Sequence, residues 1–477
     1  MQISIVLLLG SMAGVLIGSA LFFALPMLLP GWSMMLLRGP LRGVARHLTR
    51  APYEHNRFEM IHVLRRSGWQ RILETELRAA SDGHTIERPI GTPHQPLGFQ
   101  KIAFAAAVLD RRPLPVDAPI DSSVIVGPLS ARPLTLELPV YISGMGYGVA
   151  LSRPARIALA KGASTAGTAS NSGLGPLLPE ERQVAARLMV QVGRPPWTQG
   201  ADRIRGADAI EVQLGTGAWG AYGYEIPSEQ VGAAARRAMG LGAEDPVVIP
   251  TDFSRWQLPQ GLDDLLGTLK EQGNGVPVGV KLPASQHLEE ELLHVVRSGA
   301  DFVTLDAGRA GIVSAPPLME DAFGLPLIDA LLRAQRLWEQ YQWRGRVTLV
   351  VSGGLLTPED FLKALALGAD VVAIGTAALL ALAHPQLPDL LPQMPPTELL
   401  YAQGSHAAQL DVDRAAHAVT NFLQAANEEM KVAARSMGKH ALQAIDRADL
   451  VALDTSWAKR TQLRPAWTAS PERGTAS

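Results

Sequence analysis

Four residues at the ends of two apolar runs have the types and spacing of a phosphate-binding site. Gly353 and Gly354 end the run VTLVVSGG, and Gly375 and Thr376 end the run VVAIGT. Glycines let a backbone approach a ligand closely, and N–H groups at the start of a helix favour an anion. We therefore predict a phosphate cradle formed by these two strand ends. An ordinary glycine-rich turn is the alternative interpretation.

Lys281 lies near the end of the apolar run VPVGVKL (276–282). A buried ammonium group is costly unless it meets an anion, so this residue is suited to face an electron-rich cofactor or a substrate carboxylate. The alternative is a lysine whose charged end reaches water at the end of a strand.

Other polar residues occur in or after strand-like runs. Glu211 and Gln213 alternate with apolar neighbours in AIEVQL, which predicts that both face the same way, towards a barrel interior. Asp306 ends the run FVTLD. The loop SNSGLG (170–175) contains Asn171 and Ser172 and is suited to hold a ligand, although a plain loop fits its letters equally well.

The elements that position these residues follow from a phrase that occurs three times, Gly-Ala-Asp before an apolar run. Its copies are RGADAIEVQL (205–214), SGADFVTLDA (298–307) and LGADVVAIGT (367–376). In each, the glycine suits the left-handed end of a helix, and the run suits a strand covered on both faces. Further strand-like runs are LPVYISG (138–144), PVVI (246–249), VPVGVKL (276–282) and VTLVVSGG (347–354).

Seven such strands alternating with helical stretches predict an α/β fold, a (β/α)8 TIM barrel, with an open doubly wound sheet as the alternative. Barrel sites form at the carboxyl ends of the strands, where the residues above lie. The stretch GTGAWG (215–220) matches a dinucleotide fingerprint, but Gly223 and Pro227 follow where that fingerprint needs a helix.

Composition limits the classes of function. The 477 residues carry a formal charge of -2, whereas nucleic-acid binders usually carry concentrated positive charge. The chain has no Cys, which excludes disulfides, thiolate-bound iron–sulfur clusters and cysteine nucleophiles within it. No metal-binding motif occurs, since HLEEELLH (287–294) fits a solvated helix face. The composition therefore favours a protein that acts on small molecules.

The segment 3–25 is uncharged and long enough to span a bilayer as a helix. A cleaved signal peptide is the alternative, but no basic region precedes the run. Five arginines follow it, which predicts a single-pass anchor with the main body on the cytoplasmic side. They are Arg38, Arg42, Arg46, Arg50 and Arg57.

We divide the chain into a transmembrane anchor (1–30), a connecting helical segment (31–100), the barrel (101–395) and a C-terminal helical extension (396–477) whose last dozen residues we expect to be disordered. In the extension, apolar residues recur at steps of three and four, which predicts one amphipathic helix packed on the barrel. They are Val419, Phe422, Leu423, Ala426, Met430, Ala433, Ala434 and Met437.

Several motifs, taken in order, resemble the FMN-binding glutamate synthase domain family, and most closely its stand-alone, membrane-anchored members. They include YISGMGYGVALSRPARIALAKGA, SNSGLG, VGVKL, VSGGLLTPEDFLKALALGADVVAIGT and NFLQAANEEMKVAARSMGKHAL, and the resemblance spans about residues 100–460. It implies a barrel that holds FMN. It also implies that 2-oxoglutarate and ammonia form 2-iminoglutarate, which a hydride from the reduced flavin converts to glutamate.

The resemblance gives the residues individual roles. The glycines and Thr376 of the cradle, with Ser352 beside them, would hold the FMN phosphate, and Ser143, Gly144 and Met145 would line the isoalloxazine. Lys281 would face the N1–O2 edge of the flavin or the oxo acid and stabilise negative charge there. We accordingly predict Lys281 and Glu211 as catalytic. The predicted substrate-binding residues are Asn171, Ser172, Gln213 and Asp306.

The chain also departs from the family pattern. Leu174 stands where an acidic residue is common, QLGTGAWGA (213–221) replaces a lysine-containing segment, and Ser352 replaces an aspartate of the full-length enzymes. The loop Ala310-Gly311-Ile312-Val313 replaces Gly-Gly-Thr-Gly. AHPQLPDLLPQMP (383–395) takes the place of the cysteines of an iron–sulfur cluster, so we expect no cluster.

With no cysteine for a glutaminase site, we expect ammonia to come from elsewhere and electrons from a separate donor protein or reductase. Two hypotheses remain at this point. One is an FMN oxidoreductase of the glutamate synthase type. The other is a membrane-anchored barrel that has lost the chemistry and serves as a scaffold or ligand-binding subunit.

Overall fold

The computed structural model describes residues 68–80, 86, 88, 98–106, 108, 109, 111–217, 219–253, 258, 261–311, 315–386 and 396–468. The chain divides into two compact units, Met1–Ile86 and Glu87–Ser477. In the first unit, helix α1 (Trp69–Ala79) is described. The predicted anchor, the arginines after it and residues 469–477 of the predicted tail lie outside the described ranges. Within those ranges, no helix is both long and apolar enough to cross a membrane.

The second unit is an α/β unit whose described strands and helices have the following bounds. The strands are β1 (Ile102–Phe104), β2 (Val124–Val126), β3 (Leu134–Leu136), β4 (Val140–Ile142), β5 (Ser170–Asn171), β6 (Leu188–Val192), β7 (Ala209–Gln213), β8 (Tyr224–Ile226), β9 (Val247–Ile249), β10 (Val278–Pro283), β11 (Phe302–Asp306), β12 (Thr348–Ser352), β13 (Val371–Ile374), β14 (Leu450–Ala452) and β15 (Arg464–Pro465). The helices are α2 (Arg153–Thr165), α3 (Pro179–Val184), α4 (Ala201–Ile204), α5 (Ala233–Met239), α6 (Leu262–Gln272), α7 (Leu288–Arg297), α8 (Pro317–Ala322), α9 (Leu327–Gln340), α10 (Pro358–Ala366), α11 (Thr376–Ala383), α12 (Thr397–Leu400), α13 (Val412–Ser436) and α14 (Thr455–Thr461).

Eight parallel strands close into a barrel, which confirms the predicted (β/α)8 fold over the open sheet. Their order around the barrel is β4, β5, β6, β7, β10, β11, β12 and β13, and β13 pairs with β4 to complete the circle. The antiparallel pair of β2 and β3 contributes apolar side chains to the cluster that fills the barrel interior. The carboxyl ends of the strands are therefore the end where a site can form.

The structure explains why the Gly-Ala-Asp phrase occurs three times. Its glycines, at positions 206, 299 and 368, have φ of 79°, 96° and 115°, a conformation that favours glycine at the end of a helix. Each aspartate accepts a hydrogen bond from a backbone N–H of the neighbouring strand. Leu188 donates to Asp208 at 2.7 Å, Val278 donates to Asp301 at 2.9 Å, and Leu349 donates to Asp370 at 2.8 Å. The phrase thus ends a helix and ties the start of its own strand to the preceding barrel strand.

Two parts of the barrel differ from the prediction. The run PVVI forms β9, which pairs antiparallel with β8 outside the barrel, so its assignment as a barrel strand was wrong. Strands β5 and β6, which were not predicted, take places in the barrel instead. PVVI has the composition of a buried strand. In the two-stranded ribbon of β8 and β9, however, alternate side chains point to opposite faces, so Val247 and Ile249 are buried and Val248 is exposed.

Helix α13 confirms the predicted amphipathic helix of the C-terminal extension. The side chain of Asp411 caps its first turn. Its apolar stripe is buried and packs on α2, where Gly162 permits close contact: a Cβ added there would lie 2.8 Å from the carbonyl oxygen of Ala416. The domain boundaries at residues 30, 100 and 395 stay predictions, and residues 387–395 lie outside the described part of the chain.

Candidate active site

A cleft opens at the carboxyl ends of the barrel strands and encloses about 1090 Å³ of empty space, part of which is open to solvent. Most of the predicted site residues line it. They are Ser143, Gly144, Met145, Gln213, Lys281, Asp306, Ser352, Gly353, Gly354, Gly375 and Thr376.

The glycines after β12 and β13 meet at one end of the cleft. Gly353 and Gly354 have φ of 120° and 70°, values that side chains disfavour. Gly375 precedes α11 and, as a glycine, supplies no side-chain cap to the first turn of that helix. A Cβ added to Gly375 would meet only Met145 Sδ, at 3.9 Å. The predicted cradle therefore has free space beside a helix N-terminus.

Lys281 and Asp306 form an ion pair in the wall of the cleft. Lys281 Nζ is 3.6 Å from Asp306 Oδ2 and donates to Ser143 Oγ at 3.5 Å, and its side chain is only 6% exposed. Asp306 also accepts from the Gly217 N–H at 2.9 Å and from the hydroxyl of Ser352. These contacts hold one cation and one anion at fixed positions, with Lys281 where the sequence predicted it.

Glu211 faces the barrel interior as predicted, but its carboxylate lies beneath the cleft and is not part of the lining. Oε1 accepts from Asn171 Nδ2 at 2.9 Å and from Gln191 Nε2 at 2.7 Å, and Oε2 accepts from Thr304 Oγ1 at 2.7 Å. Burial, and then the charge of Glu211, raise the pKa of Tyr141 well above its ordinary value. Glu211 is thus the centre of a buried polar network, and its catalytic role stays a prediction.

Asn171 and Ser172, predicted to bind substrate, also lie behind the lining. The Asn171 side-chain amide donates through Nδ2 to Glu211, and its Oδ1 accepts from the Gly173 N–H at 3.0 Å. The Ser172 hydroxyl accepts from the Gln191 N–H at 3.0 Å and from Arg203 at 3.3 Å. Their side chains therefore shape the loop after β5, and both are almost fully buried.

The structure adds lining residues that the sequence did not indicate. Gln191 and Tyr224 both line the cleft, together with Leu174 and Thr216, which stand where the chain departs from the family pattern. Trp219 stacks on Tyr224 with ring centroids 5.6 Å apart. Burial raises the pKa of Tyr224 to about 12, and the Arg194 guanidinium opposes that rise. If LMVQV (188–192) had been predicted as a barrel strand, the alternation of side chains along it would have placed Gln191 on the face towards the barrel interior.

Comparison with known proteins decides the family. A model of the conserved region in glutamate synthase matches residues 106–440, most of the chain. The chain belongs to the glutamate synthase family. The resemblance inferred from the motifs is thereby confirmed, and so is the prediction of a glutamate synthase-like oxidoreductase.

Individual relatives of the family differ in how much of their length this chain covers. It is 30% identical to a glutamate synthase large subunit-like protein of Rhizobium meliloti over 83% of the chain and 94% of that protein. It is 33% identical to an archaeal-type glutamate synthase [NADPH] of Thermotoga neapolitana, over 53% of the chain and 50% of that enzyme. A glutamate synthase [NADPH] of Archaeoglobus fulgidus is 29% identical over 65% and 61%. The chain thus spans about half the length of several glutamate synthases that it matches.

Proposed function

We propose that this glutamate synthase family member is an FMN-dependent oxidoreductase that forms glutamate from 2-oxoglutarate and ammonia by reduction of 2-iminoglutarate. The observation that carries the proposal is the cradle at the ends of β12 and β13, where Gly353, Gly354 and the N-terminus of α11 line the cleft at the carboxyl ends of the barrel strands. Phosphate sites at the ends of the last two strands are a recurring feature of such barrels.

The residues of the cleft fit FMN on two independent observations. The space beside Gly375 accommodates an anion at the N-terminus of α11. The second observation is that the buried amide oxygen of Gln191, a residue that lines the cleft, has no hydrogen-bond partner among the described residues. Gly353, Gly354, Gly375 and Thr376 would hold the phosphate, and Ser143 to Met145 would lie against the ring system. When bound, FMN supplies the hydride for reduction of a carbon–nitrogen double bond.

Lys281 contributes charge at the reacting end of the cleft. Its ammonium group is nearly buried, so its field is weakly screened by water, and Asp306 holds it in position. There the ammonium group stabilises either the negative charge that develops on a bound oxo acid or the charge of a substrate carboxylate. A cation that is already fixed in position needs little reorganisation of the protein to do so. Ser143 Oγ accepts a hydrogen bond from this ammonium group and so restricts the direction of its other two N–H groups.

Electrons and ammonia come from outside this cleft in the proposed reaction. The family relationship supports small-molecule substrates and a separate electron donor, because one relative is named large subunit-like and others are named for NADPH. The proposal includes an anchor formed by residues 3–25, with the barrel unit on the cytoplasmic side, supported by the uncharged run and the arginines after it.

The absorption spectrum of the purified full-length protein tests the cofactor. A yellow protein that releases FMN on denaturation, and whose chemically reduced form is reoxidised by 2-oxoglutarate plus ammonium, supports the proposal. Release of FAD would contradict the cofactor assignment. A colourless protein that FMN does not restore would favour the alternative, a barrel that serves as a scaffold or ligand-binding subunit.

A further inference from the structure

Leu174 and Tyr224 contribute apolar surface to the wall of the cleft. Leu174 lies in the loop after β5 and is 6% exposed. Its side chain reaches the end of β6, since a Cβ added to Gly193 would be 2.3 Å from Leu174 Cδ2. The carbonyl oxygen of Leu174 accepts from the Trp197 indole N–H at 2.7 Å. Contacts of its side chain and its backbone therefore hold Leu174 in place.

Tyr224 belongs to a set of three stacked aromatic rings. The Trp219 ring stacks on Tyr224 with centroids 5.6 Å apart and on Tyr222 with centroids 5.7 Å apart. Tyr224 also packs against the same apolar cluster as Trp197, the residue that holds Leu174. The Tyr224 ring is thus fixed on the same side of the cleft as Leu174, and an aromatic ring in a fixed position is a flat apolar surface for a ligand.

The loop after β7 connects these rings to the ion pair of the cleft. The Gly217 N–H donates to Asp306 Oδ2 at 2.9 Å, and the same oxygen is 3.6 Å from Lys281 Nζ. Trp219, which stacks on Tyr224, follows Gly217 by two positions. The apolar surface therefore lies close to the cation that the proposed function assigns to the reacting end of the cleft.

The charges of the lining decide which end groups of a substrate are favoured. Among the described residues that line the cleft, Lys281 carries the positive charge and Asp306 the negative charge, and the two are paired. A carboxylate that approaches Lys281 uses the cation that this lining offers. A second carboxylate would have to keep its water, because an ionised group buried without a partner is costly. The partly open cleft permits this for 2-oxoglutarate, whereas an apolar group at the same place gains by losing water.

We propose that the cleft accepts, besides 2-oxoglutarate, 2-oxo acids with an apolar side chain, and that Leu174 and Tyr224 determine this specificity by packing on that side chain. The inference rests on the proposed FMN-dependent function and extends its substrate class. Ammonia replaces the keto oxygen of the 2-oxo acid, which leaves as water. The imine carbon then takes a hydride that the reduced flavin supplies and the nitrogen takes a proton, so the imine gains the two electrons that the flavin loses and becomes the 2-amino acid.

The matched probes are 2-oxopentanoate and 2-oxoglutarate, whose carbon chains have equal length and end in a methyl group and a carboxylate, respectively. Isothermal titration calorimetry of the oxidised full-length holoenzyme measures their binding, and stopped-flow absorbance with ammonium measures how fast each reoxidises the reduced holoenzyme. We expect 2-oxopentanoate to bind at least as tightly as 2-oxoglutarate and to reoxidise the enzyme. From pyruvate through 2-oxobutanoate to 2-oxopentanoate, affinity should rise about fourfold for each added methylene.

Tyr224→Ala removes the ring and should lower the preference for 2-oxopentanoate over 2-oxoglutarate about tenfold. Leu174→Ala serves the same comparison if the first variant does not fold. Tyr341→Ala is the matched control, because Tyr341 also stacks on a tryptophan, Trp343, with centroids 5.1 Å apart, but does not line the cleft. Its preference should stay within about twofold of the parent's.

Failure of 2-oxopentanoate to bind or to react, while 2-oxoglutarate does both, would overturn the inference and leave the proposed function standing. An unchanged preference in the folded Tyr224 or Leu174 variant would also overturn it. Reaction of 2-oxopentanoate alone would support the inference and contradict the substrate named in the proposed function. If neither oxo acid reoxidises the reduced protein, or if the protein binds no FMN, both the proposed function and this inference are wrong.

Discussion

The ammonium nitrogen of Lys281 lies 3.6 Å from Oδ2 of Asp306, and both side chains line the same cleft. Because Asp306 also accepts from Ser352 and Gly217, its carboxylate is held from three sides. The lysine is therefore positioned by a group that is itself rigid. Such preorganisation is what allows a charge to act in a reaction, since no energy is needed to reorient it.

Replacement of this lysine should separate chemistry from cofactor binding. We expect Lys281→Met to bind FMN within about fivefold of the parent, because the cradle lies elsewhere, and to slow reoxidation of the reduced enzyme by 2-oxoglutarate plus ammonium by about 100- to 1000-fold, a loss typical of one removed charge-stabilising group. Stopped-flow absorbance measures that rate, and fluorescence titration measures binding.

The matched control for this variant is Lys439→Met, since Lys439 also pairs with a buried aspartate, Asp449, at 2.9 Å, but does not line the cleft. Its reoxidation rate should stay within about twofold of the parent's. A Lys281→Met enzyme that reacts at the parental rate would show that the cation has no part in the reaction.

A side chain at Gly375 should displace the phosphate without disturbing the fold. The site has room for a Cβ, and the φ of Gly375 is -113°, so Gly375→Val requires no left-handed strain. We expect unchanged thermal unfolding of the apoprotein and FMN affinity reduced about ten- to a thousandfold, through loss of one or two charge-assisted hydrogen bonds. Gly354→Val should also weaken binding, but its φ of 70° adds backbone strain.

Gly267→Val is the comparison for this experiment, because Gly267 lies in α6 and a Cβ there would meet nothing within 4 Å. It should bind FMN as the parent does. Parental FMN affinity in Gly375→Val would show that the cradle is wrongly placed and that the Gly-Thr end of β13 is structural only.

The raised pKa of Tyr224 predicts a loss of stability in alkali. Below about pH 10 the hydroxyl is protonated in both folded and unfolded chains. Between pH 10 and about 12 the unfolded chain releases the proton while the folded protein retains it, so unfolding becomes more favourable as pH rises. We expect Tyr224→Phe to lose less unfolding free energy than the parent over this interval, measured by urea unfolding at several pH values.

Tyr222→Phe is the control for the alkaline experiment, since Tyr222 is 61% exposed. Its pH dependence should follow that of the parent. If the curves of Tyr224→Phe and the parent coincide as well, burial of Tyr224 does not affect its proton affinity in solution.

The proposed anchor gives a prediction by fractionation. The full-length protein should sediment with membranes and resist extraction by high salt, and a variant without residues 1–30 should be recovered in the supernatant with unchanged FMN binding, because the uncharged run 3–25 supplies the apolar surface. Full-length protein found in the supernatant, or a mature N-terminus beyond residue 18, would argue against the anchor.

The meeting of the two glycine-containing strand ends was predictable from sequence because its signals are local. A pair of glycines after one apolar run and Gly-Thr after the next define both the strand ends and the space between them, and parallel barrel strands must bring those ends together. The same holds for Lys281, whose charge inside an apolar run is costly unless the fold provides a partner. The structure supplied that partner, Asp306, from the next strand.

The other half of the site depended on tertiary contacts that the letters do not contain. Gln191 was not predicted as a site residue because LMVQV is an apolar run without a preceding Gly-Ala-Asp phrase. Its hydrogen bond to Glu211 is a tertiary contact that the sequence does not show. Val247 to Ile249 misled because a short β-branched run suits a barrel strand and an outer ribbon equally well. The side chains of Asn171 and Ser172 form hydrogen bonds with neighbouring protein groups and do not line the cleft.

The pairing of β1 with β14 has a consequence for synthesis on the ribosome. Ile102, which precedes every barrel strand, pairs with Ala452, which follows the last of them by almost eighty positions. During translation β1 cannot pair with β14 until β14 has left the exit tunnel. The barrel strands can therefore pair with one another before β1 and β14 do. A nascent chain stalled shortly before residue 450 would therefore leave the edge of β1 unpaired, and an unpaired edge can pair with another chain and aggregate.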